Sequence, residues 1–229
     1  LILLLIPMIC FAGALQEKQK AVIAKKNVAA PAASLEIDAT SSGTSVDATS
    51  ITWSHTVSGS DRVIFVGVAN QTAQPTGVTY NGDALTSVFT ASQADTYYVS
   101  GWVLIAPDTG AHDIVVSYAG TTSGINGYGI SFTGAHQTTA VGTPATSNGW
   151  GSTSTIDVTA ETGDIVVDIM NYGSSTEPSI GANQTQIHTA NPGTTYQKGS
   201  REAGASTTTM SWTHDTQNHA QGGVAIKKK

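Results

Sequence analysis

The chain is 229 residues long and sparsely charged, with 11% charged and 39% hydrophobic residues, enough for one sizeable core or two small ones. It carries 23 Ser, 33 Thr and 24 Gly with few helix formers, which excludes coiled coils and helical arrays and points to an all-β protein. The formal charge of −6 is unevenly distributed: Lys18, Lys20, Lys25 and Lys26 near the start and Lys227, Lys228 and Lys229 at the end leave an acidic body whose only bases are Arg62, Lys198 and Arg201. Such a body repels phosphate backbones, so nucleic acid is not an expected partner. The single cysteine, Cys10, allows no internal disulfide and no Cys-based zinc site.

Residues 1–15 form a continuous apolar run, in which Leu1, Ile2, Leu3, Leu4, Leu5, Ile6, Ile9 and Phe11 would be the associating side chains. The run is shorter than the about 20 residues a membrane-spanning helix needs. Two readings stay open. It fits the apolar region of a secretory signal peptide, with Ala12-Gly13-Ala14 as an A-x-A cleavage pattern. Alternatively it is a retained assembly anchor, as in pilin-like filament subunits. Either implies an exported protein at the cell surface, outside the cell or on a virion. Residues 16–34 are a Lys- and Ala-rich spacer broken by Pro31, and a globular body is expected from Leu35 to Lys229.

Along the body, short apolar or alternating segments are separated by turn signals. Ser50–Val57 alternates, and Arg62–Ala69 is apolar enough for burial on both faces. Gly77–Tyr80 leads into Asn81-Gly82, a strong hairpin signal, and then Ala84–Phe89. Tyr97–Ala106, His112–Tyr118 and Gly127–Thr133 are three further strands, with Ala119–Ile125 read as a loop. Trp53, Val63, Phe65, Val115, Ile130, Val166 and Val224 are the expected core.

The chain also resembles itself. Asp61 matches Asp164 ahead of similar apolar runs, Val116-Ser-Tyr118 matches Met210-Ser-Trp212, and Gly127–Phe132 matches Gln221–Ile226. Two pseudo-repeats, about 50–136 and 152–227, are expected to pack as one antiparallel β-sandwich of jelly-roll or Ig-like type, with Thr146–Thr153 as the join. Two separate small domains are the alternative.

Thr52-Trp-Ser-His-Thr-Val, Val78-Thr-Tyr-Asn-Gly-Asp-Ala-Leu-Thr86, Trp102-Val-Leu-Ile-Ala-Pro-Asp-Thr-Gly-Ala-His112 and Ser131-Phe-Thr-Gly-Ala-His-Gln-Thr-Thr139 resemble an uncharacterised β-sandwich module of bacterial secreted and surface proteins and phage structural proteins. The resemblance implies a fold and an extracellular or virion setting, and no catalytic residue.

Chemical motifs are few. Asp164 and Asp168 share a strand face about 13 Å apart by the rise per residue, wider than a pair of glycosidase carboxylates. There is no Gly-x-Ser-x-Gly elbow, so no catalytic residues are assigned and an enzyme is the least favoured class. His214, Asp215 and His219 crowd one expected loop and are the best metal candidates, against the simpler reading of a solvated hairpin loop. No cofactor is expected. Trp150, between two glycines, and Tyr172, before Gly-Ser-Ser, are aromatics on turn-like sequence that could stack on a glycan, unless Trp150 folds back over the sandwich end. Asn70-Gln-Thr72 and Asn183-Gln-Thr185 are glycosylation sequons. The expected function is a non-catalytic exported structural protein that self-associates through its N-terminus, with a carbohydrate-binding or adhesive module as the alternative.

Overall fold

The computed structural model describes residues 34–229 apart from Ser175 and Thr194. The expectations for the apolar segment 1–15, its eight associating side chains and the spacer up to residue 33 lie outside the described residues. The described residues from 34 to 229 belong to one compact unit.

The described chain forms β1 (Glu36–Val57), β2 (Val63–Asn70), β3 (Gly77–Tyr80), β4 (Asp83–Ala84), β5 (Thr86–Gln93), β6 (Tyr97–Ile105), β7 (Gly110–Thr133), β8 (Ala145–Val158), β9 (Ile165–Tyr172), β10 (Ser179–Ile180), β11 (Thr185–Ala190), β12 (Tyr196–Ala203) and β13 (Thr208–Ile226). All pairings are antiparallel. They build two packed sheets. One runs β4-β3-β7-β2-β6-β5 with β1 on β7. The other runs β10-β13-β9-β12-β11 with β8 on β13.

Each sheet comes from one half of the chain, and the two orders coincide. Replacing β1, β2, β3, β5, β6 and β7 by β8, β9, β10, β11, β12 and β13 converts the first sheet into the second, β4 alone lacking a counterpart. Registers agree residue by residue. Val63 faces Phe132 as Ile165 faces Ile226, and Gly67 faces Tyr128 as Ile169 faces Gly222. The sequence self-similarity is therefore matched by topology.

One apolar cluster lies between the sheets, with Phe65, Phe89, Tyr128, Ile130, Val167, Ile169, Val224 and Ile226 among its members. Close approach there needs residues without a Cβ. A Cβ on Gly222 would meet the Phe89 ring within 2.4 Å, and one on Gly199 would meet Tyr128 equally closely. A second cluster lies inside the first half, where Ile51 and Trp53 of β1 close over Ile64, Val66 and Val68 of β2. β2 is thus buried on both faces, as its continuous apolar run predicts.

Several expectations need correction. Ala119–Ile125 is not a loop, because β7 runs unbroken through it along β1. A bulge absorbs the irregular stretch, with Ala48 opposite Thr122 and Ser50 already opposite Ser117. Likewise His214–His219 lies within β13, beside a shift between the pairs Thr213–Thr153 and Gln217–Gly151. The supposed join Thr146–Thr153 is part of β8, and the crossing is made earlier, where Ala135 bridges Lys228 and Val141 bridges Ile226. Val115 is only half-buried, since Ile114 and Val116 take the inward face of β7 and alternation turns Val115 outward. The other expected core residues are buried. Asn81-Gly82 does make a tight turn, both residues having φ values in the left-handed region, at 52° and 86°. Its hairpin is short, however, because β5 leaves to pair with β6.

Candidate functional site

The second half contains a buried polar network that occupies what is apolar core in the first. Asp168 sits mid-strand in the run Ile165-Val-Val-Asp-Ile-Met170 of β9 and is completely buried. Alternation aims its side chain away from the inter-sheet cluster, which takes Val167 and Ile169. Its carboxylate accepts four bonds: one oxygen from the Ser200 amide at 2.9 Å and hydroxyl at 2.6 Å, the other from Trp212 Nε1 and Gln221 Nε2, both at 2.7 Å. Burial pushes its pKa up to about 6, while the four donors pull the other way.

The network continues outward. Ser154 Oγ donates to Gln221 Oε1, and Gln184 bridges the Ser200 hydroxyl at 2.7 Å and the Ser211 amide at 2.8 Å. Lys198 has a buried side chain, with Nζ 5.9 Å from the Trp212 ring centre and donating to Glu177 and Gln186 at 2.7 and 2.8 Å. The apolar residues of this half form an Ile156, Val158, Val166 and Met210 cluster and a Met170, Tyr172 and Trp212 cluster. The one sequence signal for this network is an Asp inside an otherwise apolar strand.

Asp164 is likewise committed locally. Its two oxygens accept from the Glu161 and Lys228 amides, each at 3.0 Å, while the four bonds to Asp168 all come from its own half of the body.

Of the aromatics, Trp150 is 64% exposed. It lies in β8 opposite Asn218, on the outward face with exposed Thr146 and Asn148, so it does not fold back over the body. Tyr172 is a correction: it is fully buried in β9, its ring stacked 6.4 Å from Tyr196, and presents no ring to a glycan. Sequence placed it beside a Gly-Ser-Ser turn, but β9 runs through Tyr172 and its side chain is buried.

The metal candidates are brought together only in part. The His214 and His219 rings lie 5.1 Å apart and the Tyr172 ring 4.8 Å from His214. Asp215 is exposed and accepts from Ser174 Oγ at 3.1 Å. Among the described residues no group of three or more His, Cys, Asp or Glu is arranged to hold a metal, so Asp215 does not complete a trio. Burial and the neighbouring His214 lower the His219 pKa, which favours its neutral form.

Two other histidines are structural. His188 stacks on Tyr128 with centroids 5.8 Å apart, and His55 Nδ1 lies 2.7 Å from Ser41 Oγ; burial depresses both to about 4. The first sequon is inaccessible, because Asn70 is buried and its Oδ1 accepts the Thr72 and Ala73 amides, whereas Asn183 is exposed in a turn. An open groove of about 430 Å³ is lined by polar residues including Asn81, His112 and Asp113 together with Val115. Among the described residues no helix is long and apolar enough to cross a membrane.

The fold thus defines an all-β body of two topologically equivalent antiparallel sheets. Comparison with protein-family models, curated proteins and solved structures returns no match.

Proposed function

We propose that this body is the non-catalytic structural unit of an exported assembly at a cell or virion surface, built as a sandwich of two repeated Ig-like or jelly-roll-like halves. One observation carries the reading. Val46 and Trp150, 66% and 64% exposed, occupy equivalent positions on the two long strands β1 and β8, each paired on one side only. Val46 falls between the pairs Ser45–Ile125 and Asp47–Ser123, and Trp150 faces Asn218, the repeat equivalent of Gly124. We read these two apolar side chains, standing out on Ser- and Thr-rich edges, as contact points between subunits.

The N-terminal apolar run, if retained, supplies the stronger association. Burying such side chains contributes about 1.5–3 kcal/mol each before ordering entropy is subtracted. Negative-stain microscopy of native material tests the reading: ordered polymers are expected, and they should shorten or vanish in a Trp150→Ala variant. Monodisperse particles in the wild type would reject it.

A second reading, a carbohydrate-binding or adhesive module, is favoured by Trp150 lying on one face with Asn148 and Thr146, a stacking ring beside hydroxyl and amide groups. Glycan retention lost on Trp150→Ala, with particles monodisperse, would select it over assembly.

A further inference from the structure

The bulge of β13 gathers three buried polar atoms with no partner among the described residues: His214 Nε2, His219 Nδ1 and Tyr172 Oη. The three residues are 8%, 5% and 0% exposed. Buried polar atoms are ordinarily bonded, and a cluster of orphans marks a place for an ion or water.

His214 is already set as a ligand. Its Nδ1 donates to the Asp215 carbonyl at 2.7 Å, which leaves the lone pair on Nε2, and a carbonyl bonded in this way to the far ring nitrogen is what orients metal-binding imidazoles. The His214 and His219 ring centres are 5.1 Å apart with planes at 60°. Two imidazoles at Zn–N distances near 2.0–2.1 Å and a tetrahedral angle place their centres about 5 Å apart. Nor does the shared topology demand this pair. The equivalent positions in the first half are Gly120 and Ile125, and Asn70 stands where Tyr172 does, so the first bulge closes with buried Ile125 instead.

We propose that His214 Nε2 and His219 Nδ1 hold a borderline divalent cation of the Zn²⁺ or Cu²⁺ class in the β13 bulge, with Tyr172 Oη and water completing its coordination. The site would cross-link the bulge to the end of β9, and is independent of the assembly reading.

Calorimetric titration of the full chain, stripped of metal by chelator, with Zn²⁺ tests this. One equivalent should bind, and the melting temperature should rise with free Zn²⁺. His214→Ala and His219→Ala should each weaken binding more than tenfold, whereas His112→Ala and His136→Ala should leave it unchanged. Since a cluster variant could misfold, Cu²⁺ added to the wild type gives a second measurement. It should broaden the ring resonances of His214 and His219 before those of His112 and His136. Absence of binding, binding unaffected by both cluster variants, or earlier broadening at His112 or His136 would overturn the proposal.

Discussion

The two halves share a strand order and fill their inner faces in opposite ways. In the first, Val66 lies opposite Gly129 and Trp102; in the second, Asp168 lies opposite the equivalent Gly223 and Ser200. The first half fills the space with the Trp102 indole, whose Nε1 donates to Ser100 Oγ at 2.9 Å. The second places a carboxylate there and points Trp212 at it from β13, where the first half has Tyr118. The topology therefore tolerates either an apolar plug or a closed hydrogen-bond network at one position, provided the network is complete.

The sharpest way to break this comparison is to exchange its centre. Val66→Asp buries a carboxylate among Ile64, Val68 and Trp102 with no arranged donors, and should cost more than about 4 kcal/mol and abolish soluble folded protein. The reverse change, Asp168→Val, strands the Trp212 indole, the Gln221 amide and the Ser200 amide in the interior. A loss of about 3–5 kcal/mol is expected, read as a lower urea midpoint with unchanged slope. A neutral result would mean that the network merely fills space.

A smaller effect sets the buried carboxylate against the buried histidines by pH. Asp168 has a raised folded pKa, so its contribution is present at low pH and is lost as pH rises from its ordinary carboxylate value through about 6. His55 and His188 have depressed folded pKa values near 4, so their contribution is present above about 6.5 and is lost as pH falls toward 4. Near pH 5 the two histidines outweigh the one carboxylate, and the wild type should lose stability on acidification. Removing the opposing group in Asp168→Asn should steepen that acid slope, measured by denaturant titration at pH 4.5, 5.5 and 6.5. An unchanged slope would show that Asp168 stays ionised throughout.

The smallest expected effect is on the surface. Trp150→Ala should change stability by no more than about 0.5 kcal/mol, because the ring makes little of the core. A larger loss in a thermal melt would mean that the ring supports the β8 edge, and would weaken its reading as a contact residue.

Much of the fold was legible in the chain. The depletion of helix formers, the double-sided run Val63–Ala69, the Asn81-Gly82 turn and the Val116-Ser-Tyr118 echo in Met210-Ser-Trp212 are local patterns. Local periodicity reports strand identity directly, because side chains alternate with a period of two whatever the partner. The candidate sites were legible only as residue types: the His214 and His219 pairing needed β13 to run on through Asp215, which the polar sequence there disguised as a loop.

Composition and periodicity alone determined that this protein is all-β, and its self-similarity anticipated the matching strand orders of the two sheets. Tertiary structure decided the rest: that Ala119–Ile125 and Thr213–Gln221 continue as strands, that Tyr172 is buried while Trp150 stands in solvent, and that Asp168 is enclosed by Ser200, Trp212 and Gln221. The reason is physical. A residue's own neighbours in sequence set which way it points, but whether that direction leads to water, to a bulge or to a ring of donors depends on strands from tens of residues away. The partners of Asp168 lie 32, 44 and 53 residues along the chain.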